Sequence, residues 1–393
     1  IKATFEKYPE LRKQVSLDDG TIYMIPEARL DKTFRISSGF QFRKDWLDKL
    51  GLKAPETIDE WYTVLKAFKE KDPNGNGKAD EIPFLATKKL EFTDLAVAWG
   101  IQPGYYVDNG KIKYGPADPS YKDFISTMRK WYSEGLIDPE YLMVDNKNFD
   151  AKITGNIAGS YQGALSGTMG RYLGMMASKD PKFSLVGVPN PKAPDGKAYA
   201  TNTMLIRWSA HGASIGKNDK NLKETMKWLD YKFSDEGRTL LNWGLEGQSY
   251  TTKDGKRQYT DLVLKNPDKL TIEQAAAKYA GGTICQMPSV NDLDVFKVLK
   301  LGFPQQQQAS STWLNGVDTR LLPPITLTTK ETSAYSALMN EINTYQNEML
   351  NKFIMGKEPL TNLDKFTETI KNMKIDEAIK YQQAAYDRYM ARK

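Results

Sequence analysis

The sequence predicts an α/β fold built of two lobes. Segments that alternate like strands and segments with the helical spacing of apolar residues follow one another along most of the chain. Stretches rich in proline and glycine interrupt this order at 189–196 and 244–250, where the chain would cross between lobes. A chain of 393 residues is also long enough to bury two cores. We therefore expect parallel sheets flanked by helices.

Helix caps and turns define the elements of the first third of the chain. Thr57 and Glu60 have the spacing of a capping box and predict a helix start. Gly51 and Gly135 follow apolar helical patterns where a left-handed residue would end a helix. The predicted elements are a polar helical stretch at 1–19, a turn and strand at 18–26, a strand at 38–43, helices at 45–50, from Thr57, at 91–100 and at 119–134, and a hairpin at 108–114.

Short strands and amphipathic helices make up the rest of the chain. A strand at 155–162 leads into the small residues of 163–170, which would let a backbone or a ligand come close. The other predicted elements are strands at 183–188, 204–208 and 212–215 and helices at 222–233, 235–243, 291–301, 334–356, 362–373 and 375–392. Four tryptophans lie on apolar helix faces and are expected in the core: Trp46, Trp61, Trp131 and Trp228.

Composition argues against several classes of protein. His211 is the only histidine, and serine, cysteine and zinc hydrolases usually need histidine as base, orienter or ligand. Cys285 is the only cysteine, which excludes an internal disulfide and a thiolate metal cluster. The net charge of +6 is spread along the chain, and no nucleic-acid-binding signature is present. We expect neither a common hydrolase nor a nucleic-acid-binding protein.

The start of the chain and its hydropathy bear on location. No run of about eighteen apolar residues is present, so the sequence predicts no membrane-spanning helix. Residues 1–13 are polar and lack the apolar centre of a signal peptide. Because the chain begins at Ile1, we expect a processed form or a fragment whose leader is not part of it.

A loop at 72–81 carries the oxygen donors that calcium prefers. Acid and amide side chains alternate along it, and Lys78 can offer its backbone carbonyl. Loops of the EF-hand kind supply oxygens from alternate positions and place glycine sixth, where Gly77 stands. The predicted ligands of a structural Ca²⁺ ion are Asp72, Asn74, Asn76, Lys78, Asp80 and Glu81.

The loop also departs from the EF-hand. The twelfth position, which carries a bidentate glutamate in an EF-hand, is Pro83 here, so Asp80 and Glu81 would have to complete the shell. This departure argues against a calcium-triggered adaptor. A solvated Asn-Gly turn without metal is the alternative reading of the same residues.

Several segments together carry a resemblance to a known family. They are Asp19–Pro26, Arg43–Gly51, Thr57–Trp61, Asp72–Glu81, Trp131–Pro139, Leu229–Gly237, Gly244–Tyr250 and Gln383–Arg388. In this order they resemble the family-1 extracellular solute-binding proteins, which deliver oligosaccharides to ABC importers. This group includes maltose-binding and alginate-binding proteins and lipoproteins of the LplA type. The calcium loop is the most specific of these segments, since alginate-binding relatives hold calcium with the same acid and amide spacing.

The resemblance implies a helix-rich, two-lobed periplasmic-binding-protein-like fold of type II. It assigns 1–25 and 188–250 to the N-terminal lobe and 26–187 and 251–393 to the C-terminal lobe. Family members carry a leader and a further part of the first lobe before the segment that starts here at Asp19. We therefore expect the N-terminal lobe to be incomplete in this chain.

Sugar-binding sites combine aromatic faces, which stack on C–H surfaces, with planar polar groups that bind hydroxyls. Tyr161 with Gln162 is the leading pair, because its segment resembles the family strand whose terminal aromatic stacks on sugar. Arg207 and Trp208 end a strand of the other lobe, where a guanidinium could hold a carboxylate. The remaining candidate ligand residues are Phe92, Trp99, Trp313 and Tyr335. For each aromatic residue, plain packing in the core is the alternative.

The resemblance therefore implies a monomeric, non-enzymatic binding protein that hands an oligosaccharide to a membrane ABC permease. The resemblance places it outside the cell as a lipoprotein, or in the periplasm. The net charge of +6 and Arg207 point to an acidic sugar. The rival class is a carbohydrate-active enzyme that uses a pair of carboxylates or a tyrosine base.

Overall fold

The computed structural model describes residues 1–201, 208–268, 270–281 and 287–392, with only the backbone described at 208–210. Eleven strands are present in these ranges: β1 Ile25–Ala28, β2 Ser38–Arg43, β3 Ile82–Leu85, β4 Tyr105–Asp108, β5 Lys111–Tyr114, β6 Ala158–Ala164, β7 Leu185–Val188, β8 Trp208–Ala213, β9 Tyr250–Lys253, β10 Lys256–Tyr259 and β11 Ser289–Val290.

Helices account for most of the remaining ordered backbone. The described α-helices are α1 Lys2–Lys7, α2 Pro9–Val15, α3 Lys44–Leu50, α4 Ile58–Glu70, α5 Tyr121–Ser133, α6 Asn146–Thr154, α7 Arg171–Met176, α8 Leu222–Tyr231, α9 Asp235–Trp243, α10 Asp261–Leu264, α11 Ile272–Ala277, α12 Leu293–Lys300, α13 Pro304–Leu314, α14 Thr329–Met355, α15 Leu363–Asn372 and α16 Ile375–Ala391. Short 3₁₀ segments and a π-helical turn, Leu165–Gly170, complete the set. None of these described helices is long and apolar enough to cross a membrane.

The chain divides into two compact units. Unit 1 consists of the described parts of Ile1–Ile36, Met204–Gly302 and Ala391–Lys393. Unit 2 consists of the described parts of Ser37–Thr203 and Phe303–Met390. The calcium-loop sequence and all but two of the predicted ligand residues belong to unit 2.

Unit 2 is built on a four-stranded sheet in the order β3-β6-β2-β7. β3 and β6 run parallel, whereas β2 pairs antiparallel with both β6 and β7. The sheet is therefore mixed, and of its three strand pairs only β3–β6 matches the expectation of parallel sheets. Phe40 and Phe42 of β2 both pack edge-on against Trp61 of α4, with ring centroids 4.9 and 4.7 Å apart.

Unit 1 has a smaller sheet in the order β11-β1-β8. β1 pairs parallel with β11 and antiparallel with β8, with a register shift between Pro26 and Ala28. Ala28 and Val290 join Leu11 and Phe233 in a small apolar cluster on this sheet. A second cluster of unit 1 forms around Trp243, whose ring lies 5.0 Å from that of Tyr259.

The unit edges fall at residues other than the predicted lobe boundaries. The sequence places these boundaries after residues 25, 187 and 250, whereas the units change after Ile36, Thr203 and Gly302. Strand pairing explains the first difference, because β1 runs through Pro26 and remains in the sheet of unit 1. The Trp243 cluster explains the last one, since residues up to Leu299 pack in it. The assignment of units to family lobes stays a prediction.

Local signals predicted most elements of the fold. Thr57 caps α4 in a capping box, Gly51 ends α3 with a φ of 66°, and β2 spans the predicted residues. The helix predicted at 91–100 is instead a 3₁₀ segment, Glu91–Trp99, which follows Leu90 in the left-handed region and has no side-chain cap. Trp228 was expected in the core but is 61% exposed, because Leu229 is the residue that α8 buries.

Candidate functional site

A pocket opens in unit 2 where the parallel strands β3 and β6 end. Because carboxyl ends of neighbouring parallel strands meet at one edge of a sheet, loops that leave them converge and commonly hold ligands. The cavity measures about 810 Å³, within the roughly 300–1,000 Å³ of small-molecule sites. Its lining residues are Thr87, Lys88, Lys89, Glu91, Val144, Asp145, Asn146, Phe149, Asp150, Gln162, Gly163, Ala164, Gly167, Thr168, Arg171 and Tyr172.

The turn that follows β6 shapes one wall of the pocket. It is a π-helical segment, a conformation found often at functional sites. A Cβ at Gly163 would lie 2.2 Å from Thr168 Oγ1, so glycine is needed for this close approach. Thr168 Oγ1 donates to Ala164 O at 2.6 Å and accepts from Gln41 Nε2 at 3.0 Å. The small residues noted at 163–170 therefore serve first to close this turn.

Arg171 and Asp150 form a two-bond ion pair on the pocket wall. Arg171 begins α7, and its Nη1 and Nη2 donate to Asp150 Oδ2 and Oδ1 at 2.8 and 2.5 Å. Arg171 Nη2 also donates to the Tyr172 hydroxyl at 2.9 Å, and that hydroxyl donates to Asp150 Oδ1 at 2.6 Å. A third contact, from Arg171 Nε to Gly167 O at 3.0 Å, ties the guanidinium to the π-helical turn. These bonds hold the pair in one orientation.

This hydrogen-bond network and burial shift the pKa values of the residues in it. The hydrogen bond from Arg171 lowers the pKa of Asp150, although partial burial opposes the shift. The bond to Asp150 raises the pKa of Arg171 in return. Burial raises the pKa of the Tyr172 hydroxyl. The pocket wall therefore carries a charged pair, with an un-ionised phenol beside it at neutral pH.

The opposite wall is the loop after β3. Thr87 donates to Glu91 through its backbone N–H at 2.8 Å and its hydroxyl at 2.6 Å, which ties the loop together. Lys88 and Lys89 are exposed at the tip of this loop, and neither ammonium pairs with a carboxylate of the described chain. Counted by residue type, the pocket lining has three basic and three acidic side chains.

The structure brings one predicted ligand residue, Gln162, into this pocket. Gln162 is half-buried, and its Nε2 donates to Asp94 Oδ2. Its predicted partner Tyr161 points to the other face of β6, where it is fully buried between Phe149 and Tyr172. The Tyr161 hydroxyl has no hydrogen-bond partner, and burial raises its pKa. In this structure the ring of Tyr161 has no surface for a sugar to stack on.

The remaining aromatic candidates of unit 2 lie away from the pocket. Phe92 is fully buried edge-on against Tyr141, which makes it a core residue. Trp99 and Tyr335 are half-buried and pack against the large core of unit 2. Trp313 is buried, and its Nε1 donates to Val188 O at 3.0 Å. Packing, the alternative considered for each aromatic residue, describes the buried rings of Phe92 and Trp313, whereas a ligand contact of the half-buried Trp99 and Tyr335 stays a prediction.

Two predicted ligand residues cannot be placed. Arg207 lies outside the described residues, and of Trp208 only the backbone in β8 is described, paired with Ala28.

Arg171, Asp150 and Tyr172 were not singled out from the sequence. Arg171 directly follows the small-residue stretch, which was a usable signal, whereas nothing local linked Asp150 to it.

The predicted calcium loop folds around Asp72. Its Oδ1 accepts from the N–H groups of Gly75 and Asn76 at 2.9 and 3.1 Å, and its Oδ2 accepts from Gly77 N–H at 3.1 Å. Gly75 and Gly77 have φ near +74°, a region that favours glycine. Asn76 Nδ2 donates to both carboxylate oxygens of Asp80 at 3.1 Å. The loop is thus closed by its own side chains.

Glu81 is the unusual member of this loop. Its side chain is buried, and its Oε1 has no hydrogen-bond partner. Burial raises the pKa of the Glu81 carboxyl, and the nearby charges of Asp72 and Asp80 raise it further. Among the residues that the structure describes, no three acidic, histidine or cysteine side chains form a metal-binding group. A lone buried carboxylate oxygen is nevertheless costly unless a partner satisfies it.

Comparison with known proteins places this chain in a family. Residues 6–239 match the model of the bacterial extracellular solute-binding protein family. The chain belongs to this family. The α/β binding-protein fold predicted from the sequence is thereby confirmed.

Two curated relatives illustrate the family. The chain is 30% identical over 254 residues to lipoprotein LipO of Bacillus subtilis, which covers 61% of the chain and 48% of LipO. It is also 30% identical over 259 residues to the fructooligosaccharide ABC transporter substrate-binding protein FusA of Streptococcus pneumoniae, covering 63% of the chain and 46% of FusA. The chain thus spans about half the length of the curated relatives it matches.

Two solved structures have folds similar to that of this chain. The alginate-binding protein AlgQ2, solved without calcium ion, superposes with a TM-score of 0.78 at 29% identity, covering 98% of this chain and 78% of AlgQ2. An EF-hand mutant of S. pneumoniae FusA in complex with fructo-nystose superposes with a TM-score of 0.75, covering 100% of this chain and 81% of FusA. At 22% identity, this second likeness shows the fold alone.

Proposed function

We propose that this chain is the substrate-binding component of an ABC importer and captures an oligosaccharide in the pocket of unit 2. The observation that carries the proposal is the pocket itself. It combines planar polar groups of Arg171, Asp150 and Gln162 with the half-buried ring of Phe149 in a cavity of about 810 Å³. Planar polar side chains bind sugar hydroxyls, and an aromatic face receives the C–H surface of a sugar ring.

The relatives support an oligosaccharide as the ligand class. FusA is a fructooligosaccharide-binding protein and AlgQ2 binds alginate, so both neutral and acidic sugars occur among similar proteins. A permease would then receive the sugar, as in ABC transporters. The family is extracellular and LipO is a lipoprotein, and we infer for this chain a place outside the cytoplasmic membrane, as a lipoprotein or in the periplasm.

Binding without chemical change is the activity we propose. The family comprises solute-binding proteins rather than enzymes. A glycosidase needs one carboxyl group with a raised pKa as general acid. Arg171 shifts the pKa of the Asp150 carboxyl in the opposite direction. Asp150 is therefore suited to accept hydrogen bonds from a ligand and not to protonate one.

Isothermal titration calorimetry tests this proposal. The chain should bind one member of a panel of fructo-, gluco-, manno-, galacturono- and mannurono-oligosaccharides, and chromatography of the recovered sugar should show it unchanged. Absence of heat across the whole panel would contradict the proposed ligand class. Conversion of a bound sugar to products would instead favour the carbohydrate-active enzyme.

We further infer that the loop at 72–81 holds a structural Ca²⁺ ion. The buried Glu81 oxygen without a partner and the Asp72 and Asp80 carboxylates nearby are what a cation would satisfy. The side chains of Asn74 and Asn76 and the carbonyl of Lys78 would complete the oxygen donors. A bound divalent ion would neutralise these acids and tie the end of α4 to β3.

A further inference from the structure

The Arg171–Asp150 pair leaves a defined set of hydrogen-bonding groups unused. A guanidinium has five N–H donors. Four of them are engaged, by Gly167 O, the Tyr172 hydroxyl and the two oxygens of Asp150. No described residue accepts from the second hydrogen of Arg171 Nη1.

Asp150 leaves one acceptor position free in the same way. A carboxylate oxygen can accept about two hydrogen bonds. Oδ1 already accepts from Arg171 Nη2 and from the Tyr172 hydroxyl. Oδ2 accepts from Arg171 Nη1 alone. The free lone pair therefore lies on Oδ2.

The free donor and the free acceptor lie on one edge of the planar pair. Both belong to the bond between Arg171 Nη1 and Asp150 Oδ2, whose heavy atoms are 2.8 Å apart. Both residues also line the pocket. The two groups point away from each other along this edge, so one sugar hydroxyl can accept from Nη1 while a second donates to Oδ2.

A sugar carboxylate can use only the donor of this edge, not the acceptor. An ionised carboxylate only accepts hydrogen bonds, and the two-pronged guanidinium face that would hold it is already filled by Asp150. It would also meet the negative charge of Asp150 Oδ2. Lys88 and Lys89 are exposed to solvent. In water an ion pair at 4 Å contributes only about 1 kcal/mol, and salt screens it, so these lysines add little attraction for a uronate.

We propose that Arg171 and Asp150 form a specificity element that selects the hydroxyl groups of a neutral oligosaccharide and disfavours a uronate. This inference rests on the proposed function, because it requires that the pocket binds an oligosaccharide. The preference for a neutral sugar differs from the acidic ligand that the net charge suggested. The Arg171–Asp150 pair contacts the sugar, whereas the net charge is spread along the chain. Tyr172 is a positioning residue, because its hydroxyl donates to Asp150 Oδ1 and acts on the ligand only by orienting Asp150.

Calorimetry with size-matched neutral and uronate oligosaccharides tests the inference on the unmodified protein, at about 0.15 M salt to suppress long-range charge effects. The neutral sugar should bind at least roughly tenfold more tightly, a difference of about 1.4 kcal/mol. A uronate that binds more tightly than every neutral sugar would overturn the inference and leave the proposed function standing. If neither class binds, the proposed function itself fails.

Asp150→Asn is the decisive variant. It keeps the shape of the side chain, removes its charge and frees the guanidinium for a ligand carboxylate. The ratio of uronate to neutral affinity should rise roughly tenfold or more. An unchanged ratio in a variant with a native circular dichroism spectrum would sink the idea. If the variant does not fold, the comparison on the unmodified protein still decides.

One matched control and one competing test accompany this variant. Glu331→Gln breaks an ion pair of the same kind with Arg388, whose bonds measure 2.9 and 2.6 Å and which lies outside the pocket lining. Its affinity ratio should match that of the unmodified protein. Lys88 and Lys89 line the pocket, so replacing both by glutamine tests the competing explanation. A change of the ratio by more than about threefold would show that these lysines, and not the Arg171–Asp150 pair, set the preference.

Discussion

Trp313 packs directly on the backbone of Gly39. A Cβ at Gly39 would lie 2.3 Å from Cε2 of the indole, closer than real contacts allow. The indole Nε1 also donates to Val188 O at 3.0 Å, so the ring joins α13 to two strands of the unit 2 sheet. This position makes Trp313 a structural residue, although its sequence context suggested a ligand contact.

Gly39→Ala should therefore destabilise unit 2. The added methyl group would push the indole off the sheet, and overpacking of this kind costs about 1–3 kcal/mol. Chemical denaturation followed by circular dichroism measures the loss. Gly104→Ala is the control, since a Cβ there meets nothing within 4 Å. Equal midpoints for the two variants would contradict the packing argument.

Trp313→Ala separates a structural role from ligand binding. Removing a buried aromatic ring should lower the free energy of unfolding by about 3–5 kcal/mol. Trp313→Phe keeps most of the ring and loses the bond to Val188, so it should cost less. Thermal melting without sugar measures both effects. A normal melt combined with lost sugar affinity would instead show that Trp313 contacts the ligand.

If the loop at 72–81 holds Ca²⁺ as proposed, removal of the ion should lower the melting temperature. Chelation would leave Asp72, Asp80 and the buried Glu81 to repel one another. We expect the free energy of unfolding to fall by about 1–2 kcal/mol, which lowers the melting midpoint by several degrees. Glu81→Gln should melt at the same temperature with and without chelator. Asp48→Asn, in an exposed pair with Lys44, is the control and should keep the calcium dependence. An unchanged melt of the unmodified protein would argue that the loop holds no calcium.

Glu331 should stabilise the folded protein at neutral pH and lose this effect in acid. Hydrogen bonds from Arg388 lower the pKa of Glu331 to about 2. A carboxyl with a depressed pKa stabilises the fold at pH values above its unfolded pKa of 4.5, and this stability is lost as the pH falls towards the folded value. Because the pair is partly exposed, we expect about 1 kcal/mol at pH 7.

Glu331→Gln provides the comparison for this prediction. The difference in unfolding free energy between the unmodified protein and this variant should shrink from pH 5 towards pH 2, measured by urea denaturation. Glu348→Gln, in an exposed helical pair with Lys352, should show little difference at any pH. A difference that grows on acidification would contradict the shift assigned to Glu331.

Local sequence signals determined the elements of this protein and the family to which it belongs. The capping box at Thr57, the stop at Gly51 and the alternation through β2 involve residues only a few positions apart, so their physics can be read directly from the chain. The donor spacing of the loop at 72–81 is local in the same sense, and the hydrogen bonds around Asp72 follow it.

Only the tertiary structure decided which side chains meet in the pocket. Phe92, Tyr161 and Trp313 are aromatic residues with polar neighbours in sequence, but packing against distant elements buries all three. Arg171 and Asp150 lie 21 residues apart on different helices, and the turn after β6 brings them together. Burial and ion pairing of this kind depend on contacts between elements, which no local pattern encodes.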